Sequence, residues 1–336
     1  MILITGSLAF DYVMDFPGKF ADHIMPEKIH MLNVSFLVRE MKKGFGGTAG
    51  NISYNLSLLG LKSSLLATVG QDFSPYRQFL ERNGIDTSYI KIVESGYTST
   101  AFGITDKSDN QIWGFYTGAD EMSDKLSIDS VKDKIKFGII APNNPKAMIK
   151  FAAEYKKYKI PYLFDPGMQL PHLNVSELNT ATAGAKIIIG NDYEIALMKK
   201  KLGISHEKLL KLTPIVITTL GGKGSIIESN NSSFWGAQRL QNLDSGQARM
   251  TGENKLRIKV KAAVPKNTSD PTGAGDAYRA GFVAGFTRGF DLKTCGQMGA
   301  TCAAYTVEKY GTQTHKFTKE EFSQRYLENF GGKLTL

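Results

Sequence analysis

From about Phe137 to its end, this chain alternates short runs of β-forming residues with amphipathic stretches. That alternation restricts the fold more than any other feature of the sequence. Residues 137–140 read as a strand, and 145–157 as a helix with Met148, Phe151, Ala152 and Tyr155 at helical spacing. Residues 162–165 form a second strand, stopped by Pro166. A helix over 175–183, a strand over 186–190, a helix over 191–201 and a strand over 215–219 continue the series. Strands joined through helices run parallel, because the crossover returns the chain to its starting end. The fold class is α/β, a parallel sheet flanked by helices.

Residues 12–45 break the pattern. Val13, Phe16, Phe20 and then residues 31–41 read as extended segments without a helical crossover between them. Residues 100–117 read as two strands around a turn at 106–110, a hairpin. Together the two segments predict a small sheet projecting from the main body. Open α/β folds bind ligands at the carboxyl ends of their strands, so a sheet placed there would act as a mobile lid. Its exposed strand edges invite pairing, which makes a lid-to-lid homodimer the expected assembly.

Composition narrows the class. Of 336 residues, 42% are hydrophobic, enough for a sizeable core. No apolar run reaches the roughly 18 to 20 residues of a membrane span. The first residues read as a strand rather than a signal peptide, and the expected location is the cytoplasm. The net charge of +9 suits anionic substrates as well as nucleic acid. No interleaved basic and aromatic cluster marks a nucleic-acid surface, however, so no nucleic-acid partner is expected. Lys199-Lys200-Lys201 reads as a solvated helix end. Cys295 and Cys302 lie two helical turns apart, about 10 Å, and read as buried free thiols. The scattered histidines have no ligand spacing, and no residue is expected to ligate a metal directly.

The chemistry is concentrated in Asp270-Pro271-Thr272-Gly273-Ala274-Gly275-Asp276. Gly273, Ala274 and Gly275 let successive backbone N–H groups converge at a helix start, where the helix dipole adds positive potential. Such an anion hole suits the equatorial oxygens of a transferring phosphoryl group. Asp276 follows on the first turn, where the dipole favours its ionised form and a general base would stand. Gly281, Gly285 and Gly289 recur every four residues behind it, as expected of a helix packed very closely against a neighbour.

This segment resembles the C-terminal signature of the ribokinase-like (PfkB) kinases, in which the last Asp is the catalytic base. Their N-terminal signature is similar to Gly46-Gly47-Thr48-Ala49-Gly50-Asn51, and the likeness spans nearly the whole chain. The resemblance implies a single three-layer α/β/α kinase fold over 1–336, with lid segments 12–45 and 100–117. It implies ATP and Mg²⁺ as cofactors and a small-molecule alcohol as acceptor. Asp11 resembles the carboxylate that accepts the vicinal sugar hydroxyls, with Gly47 and Asn51 at the same ribose. Asn191 and Glu194 resemble the element that orders Mg²⁺-bound water, although Asn191-Asp192-Tyr193-Glu194 is also an ordinary helix cap. Thr219, Gly221, Gly222 and Gly224 resemble the loop holding ATP phosphates and ribose; alone, they make a hairpin turn. In relatives Asp270 and nearby carbonyls can form a monovalent-cation site, so K⁺ is a candidate activator. Pro271 stands where many sugar kinases of the family carry Thr.

Within the family the likeness is greatest to bacterial adenosine kinases, through Gly6–Asp11, Ser35-Phe36-Leu37-Val38 and Tyr310-Gly311-Thr312-Gln313. By that likeness Ser7 and Ser35 join Asp11 at the nucleoside, while Phe102 and Phe115 sandwich or line the purine. Alternatively, those rings simply pack the lid. The expected reaction is phosphorylation of the 5′-hydroxyl of adenosine. A sugar kinase or a kinase for another nucleoside is the alternative, and a catalytically silent binding protein a third reading that Asp276 argues against.

Overall fold

The computed structural model describes residues 1–108, 110–230, 248–250 and 256–336. In chain order its strands are β1 (Ile2–Thr5), β2 (Ala9–Asp15), β3 (Glu40–Gly46), β4 (Ser63–Gly70), β5 (Asp86–Val93), β6 (Ser99–Thr105) and β7 (Gln111–Tyr116). They continue as β8 (Phe137–Ile140), β9 (Tyr162–Phe164), β10 (Ile187–Asn191), β11 (Ile215–Thr219), β12 (Ser225–Ser229), β13 (Ala248–Met250) and β14 (Leu256–Val260). The helices are α1 (Thr48–Leu58), α2 (Ser74–Arg82), α3 (Pro145–Lys157), α4 (Val175–Thr182), α5 (Asp192–Leu202), α6 (His206–Leu212), α7 (Ala274–Thr287), α8 (Leu292–Val307) and α9 (Lys319–Phe330).

Among the described residues the main sheet runs β13-β14-β12-β11-β10-β9-β8-β1-β4-β5. Strands β11 through β5 of that order are parallel, and β12, β14 and β13 add an antiparallel edge. The expected βαβ series is therefore present, with boundaries moved by a residue or so. Both faces of β1 are buried. Ile2 and Ile4 enter the apolar layer beneath α1, α2, α7, α8 and α9, while Leu3 enters the layer beneath α3 to α6. Two-sided burial explains why these strands read as continuous apolar runs. The chain leaves β1 toward β4 and returns to its other side at β8, so a crevice opens between β1 and β8 at their carboxyl ends.

The second sheet has the order β3-β2-β6-β7. Its hairpin of β6 and β7 matches expectation, although residue 109 of the expected 106–110 turn lies outside the described residues. Residues 12–45 are extended only at their ends. Residues 20–22 and 26–31 are 3-10 turns, and 32–38 have no regular structure. The cause is local packing. Phe36 packs against Phe16 and Phe20 at 4.9 and 4.8 Å between ring centroids. The Asp106 carboxylate also accepts the Phe20 N–H at 2.9 Å, tying the segment to the turn between β6 and β7.

The glycine stripe needs one correction. A Cβ on Gly281 would lie 2.5 Å from the Met298 carbonyl oxygen, and one on Gly285 3.1 Å from the Cys295 Cα, so α7 and α8 approach backbone to backbone. Gly289 does other work: it lies beyond α7 at φ +77°, a turn conformation that disfavours side chains. The lysine run is likewise more than a solvated end. Lys201 Nζ donates to the carbonyls of Leu170, Pro171 and Leu173. Cys295 and Cys302 are buried and free. No helix among the described residues is long and apolar enough to cross a membrane.

Candidate active site

The first turns of α7 reach Asn51 on α1 and Asp165 at the carboxyl end of β9. Gly273 caps the helix in the left-handed region at φ +78°, where a Cβ would also press on Thr312 at 2.8 Å. The Ala274 N–H turns to the Pro271 carbonyl at 3.3 Å, and the first intrahelical bond runs from Ala277 N to Gly273 O. The Gly275 and Asp276 amides are thus the helix-start donors left without an intrahelical acceptor, whereas the Ala274 N–H is engaged.

Asp276 is buried. Asn51, 225 residues away, donates Nδ2 to its Oδ2 at 2.9 Å. Burial raises its carboxyl above the usual range, and Arg279 and Asn51 only partly pull it back. The helix dipole argued for a readily ionised acid; desolvation, invisible in the sequence, opposes it. Arg279, one turn along α7, forms a buried ion pair from Nε to Asp165 Oδ2. A Cβ on Gly275 would lie 2.5 Å from Arg279 Nη1, so this glycine also makes room for the guanidinium. Asp165 directly follows β9 at the carboxyl edge of the sheet. Burial pushes its carboxyl up to about 6, against the pull of Arg279 and with Glu194 and Asp276 adding repulsion. Arg279 and Asp165 went unrecognised in the sequence. The available signals were a cation within the signature and a carboxylate ending an apolar strand.

Around Asp11, each signature glycine has a steric reason. A Cβ on Gly46 would fall 2.2 Å from Asp11 Oδ2, and one on Gly47, at φ +82°, 2.5 Å from the Ser7 carbonyl oxygen. Burial, then repulsion from Asp270, raises Asp11 to about 6. Ser7 has a structural task, since its Oγ accepts the Thr48 N–H at 3.1 Å at the start of α1. Ser35 is exposed in the irregular stretch before β3.

The aromatic pair needs correcting. Asp11 pairs with Ala101, which pairs with Phe115, whereas Phe102 pairs with Tyr12 and Gly114. Directly paired residues share a face and successive residues alternate, so Phe102 and Phe115 lie on opposite faces of the sheet. Phe102 stacks on Tyr12 at 5.4 Å. On the face of Asp11, Phe115 stacks instead on Trp113 at 5.9 Å. The two phenylalanines cannot sandwich one base.

On the other side of α7, a cleft of about 310 Å³ is lined by Thr219, Gly221, Gly222 and Gly224 together with Ala274, Gly275 and Tyr278. The expected nucleotide loop and anion hole therefore share one cavity. Gly221–Lys223 form a 3-10 turn joining β11 to β12, so the hairpin reading of this loop is also correct. Asn191 and Glu194 form a reciprocal capping box on α5. Their capping role is thereby observed, and Glu194 still adds negative potential at Asp165 and Arg279. Asp270 uses one oxygen to accept Thr272 N at 2.9 Å and the other to accept Gly311 N at 3.0 Å.

A family model for the pfkB family of carbohydrate kinases matches residues 16–319. The chain belongs to that family. As a pfkB kinase it is a phosphotransferase with an alcohol acceptor. It is 33% identical over 335 residues to a nucleoside kinase from Methanothermobacter thermautotrophicus, covering 98% of this chain and 96% of that protein. Among solved structures, Burkholderia thailandensis nucleoside kinase in complex with inosine superposes with a TM-score of 0.82 at 31% identity, covering 99% of each chain. Methanocaldococcus jannaschii nucleoside kinase, an archaeal member of the ribokinase family, gives 0.82 at 27% identity, with 97% and 98% covered. The kinase fold with its small sheet is thus the ribokinase fold.

Proposed function

We propose that this pfkB kinase transfers the γ-phosphoryl of ATP to the 5′-hydroxyl of a nucleoside, adenosine first. The observation that carries the reading is the buried Asp276, bonded by Asn51 at the mouth of a helix whose free amides adjoin the glycine-lined cleft. Asn51 engages Oδ2, which leaves Oδ1 to take the acceptor proton. The acceptor oxygen then bonds to the γ-phosphorus as the bridging P–O bond breaks, ADP leaves, and Asp276 returns its proton to water. The Gly275 and Asp276 amides and the nearby guanidinium of Arg279 meet the charge on the equatorial oxygens.

The residues suit Mg²⁺ in one manner. Among the described residues no group of three ligating side chains is gathered. Mg²⁺ usually keeps waters and binds through phosphates with one or two carboxylates, a mode that Glu194 fits through water. When bound, the ion neutralises charge on the β- and γ-phosphates. Asp270, with a backbone amide on each oxygen, would hold K⁺ only through its remaining lone pairs.

Inosine is the second acceptor on the observation that a neighbour at 31% identity binds it. A phosphorylation screen over adenosine, inosine, guanosine, cytidine, ribose and fructose with Mg-ATP decides among them; turnover of the sugars alone would sink the nucleoside reading. The small sheet would close over the nucleoside as a lid, and the exposed edge of β7 supports a lid-to-lid homodimer.

Two predictions belong to this pocket. Asp11 must be ionised to accept two ribose hydroxyls, and its carboxyl is raised to about 6. kcat/KM for adenosine should therefore fall as pH drops through about 6, with ATP binding less affected. 2′-Deoxyadenosine should be a clearly poorer substrate, and equal kcat/KM for the two nucleosides would remove the diol assignment. The second concerns the base. Replacing Trp113 and Phe115 together by Ala should raise the adenosine KM by about tenfold or more, given the weight of aromatic contacts. Phe102→Ala, on the opposite face, should raise it much less. An equal effect from Phe102→Ala would mean that the face assignment is wrong.

A further inference from the structure

We infer that Gln313 is a positioning residue for phosphoryl transfer, whose amide fixes the direction in which Asn51 faces and so holds Asp276 for its role as base. The inference rests on the kinase reading given above and adds a residue to it.

Hydrogen-bond polarity carries the argument. Asn51 donates Nδ2 to Asp276 Oδ2 at 2.9 Å, so its Oδ1 must accept. Gln313 supplies that donor, Nε2 to Asn51 Oδ1 at 2.9 Å. Its Nε2 also contacts Tyr76 Oη at 2.6 Å, and Tyr76 donates to the Gly46 carbonyl at 2.8 Å. Each member thus has one consistent role from Asp276 to Gly46. Reversing Asn51 would set its carbonyl against the Asp276 carboxylate and its amide hydrogens against those of Gln313. Gln313 keeps this orientation although its own Oε1 is buried without a hydrogen-bond partner. Only the demand of the chain explains that choice.

Two glycines of the N-terminal signature corroborate the link. A Cβ on Gly50 would lie 2.0 Å from Tyr76 Oη and 3.0 Å from Gln313 Nε2, so glycine there lets the Gln313–Tyr76 contact form. Gly46, at the far end of the chain, is the residue that packs against Asp11 Oδ2. The turn bearing Gln313 is tied down on both sides, with Thr312 Oγ1 donating to Phe45 O at 3.0 Å and Gly311 N to Asp270 Oδ2 at 3.0 Å. The root of β3, α1 and the catalytic helix are therefore joined through one amide.

The charged and titratable groups facing Asp276 are Arg279 on its own helix, Asp165 after β9 and Tyr76 on α2. Burial keeps the Tyr76 proton in place, so the hydroxyl remains a donor to Gly46. None of these groups touches Asn51 Oδ1, which leaves the polarity of the amide to Gln313.

The test is the pH dependence of kcat in the full chain for Gln313→Met, which removes the donor without adding charge. Gln313→Leu, also uncharged, repeats the test if the Met variant does not fold. With the amide free to turn, the ionised Asp276 loses support. The acid limb of kcat should then move to higher pH, and kcat at neutral pH should fall by about tenfold or more. ATP affinity should stay near that of the wild type. A residue that only stiffens the fold would lower thermal stability and leave the limb in place. A limb coincident with the wild type, in either variant that folds, overturns the inference. If the wild type phosphorylates sugars but no nucleoside, the nucleoside reading falls instead, and the same limb is compared on the sugar that it does use.

Discussion

Replacing Asp276 by Asn should lower kcat by about 10² to 10⁴-fold, the usual worth of a general base. The substitution keeps the shape of the side chain, so the fold and the affinity for ATP should change little. Wild-type kcat should also rise with pH on its acid side. Burial raises the carboxyl despite Arg279 and Asn51, and only the ionised form can take the proton of the acceptor. That acid limb should vanish in Asp276→Asn. Steady-state rates for both proteins across the acidic range, beside a nucleotide titration, check all three expectations. Near-normal kcat in the variant would remove the central assignment.

The largest stability effect is expected at Arg279. Arg279→Met should destabilise the fold by about 3 to 5 kcal/mol at neutral pH, because it leaves the Asp165 carboxylate buried without its partner. The sign of the pH dependence follows from Asp165. Its folded-state carboxyl is already raised to about 6, and losing the guanidinium raises it further. A raised carboxyl favours folding while it is protonated and loses that advantage as pH rises through its folded value. The deficit of the variant should therefore be greatest above about pH 6 and shrink on acidification. Adding Asp165→Asn should restore much of the stability but not the activity, since the positive charge beside the anion hole is still missing. Urea unfolding of the single and double variants at two pH values reads the effect. A single variant within about 1 kcal/mol of wild type would show that the pair does not hold this part of the core.

How much of this was legible in the chain depends on the range of each signal. The βαβ series was readable because a buried strand and an amphipathic helix each write their period within about a dozen residues. The helix start at Asp276 and its glycines was readable for the same reason: a glycine-capped helix start is a local structure. The capping box of Asn191 and Glu194 lies within four residues and was seen as a cap. The stretch 12–45 was misread in part because Phe16, Phe20 and Phe36 suit a strand as well as an aromatic cluster, and only packing chooses.

The sequence by itself determined the layered α/β architecture, the place of the signature helix and the position of the carboxylate proposed as its base, since those depend on neighbours along the chain. Tertiary structure alone decided what surrounds Asp276 from outside its own helix. Asn51, Gln313 and Asp165 come from distant segments, and no periodicity links them to α7. It also decided which aromatic rings share the face of Asp11. Strand side chains alternate with period two, so a single step of register sends Phe102 to the face away from Asp11 and brings Trp113 onto it. Finally, it decided the sign of the shift at Asp276. A helix dipole is written in local sequence, whereas desolvation depends on everything packed around the carboxylate, and here desolvation is the larger effect.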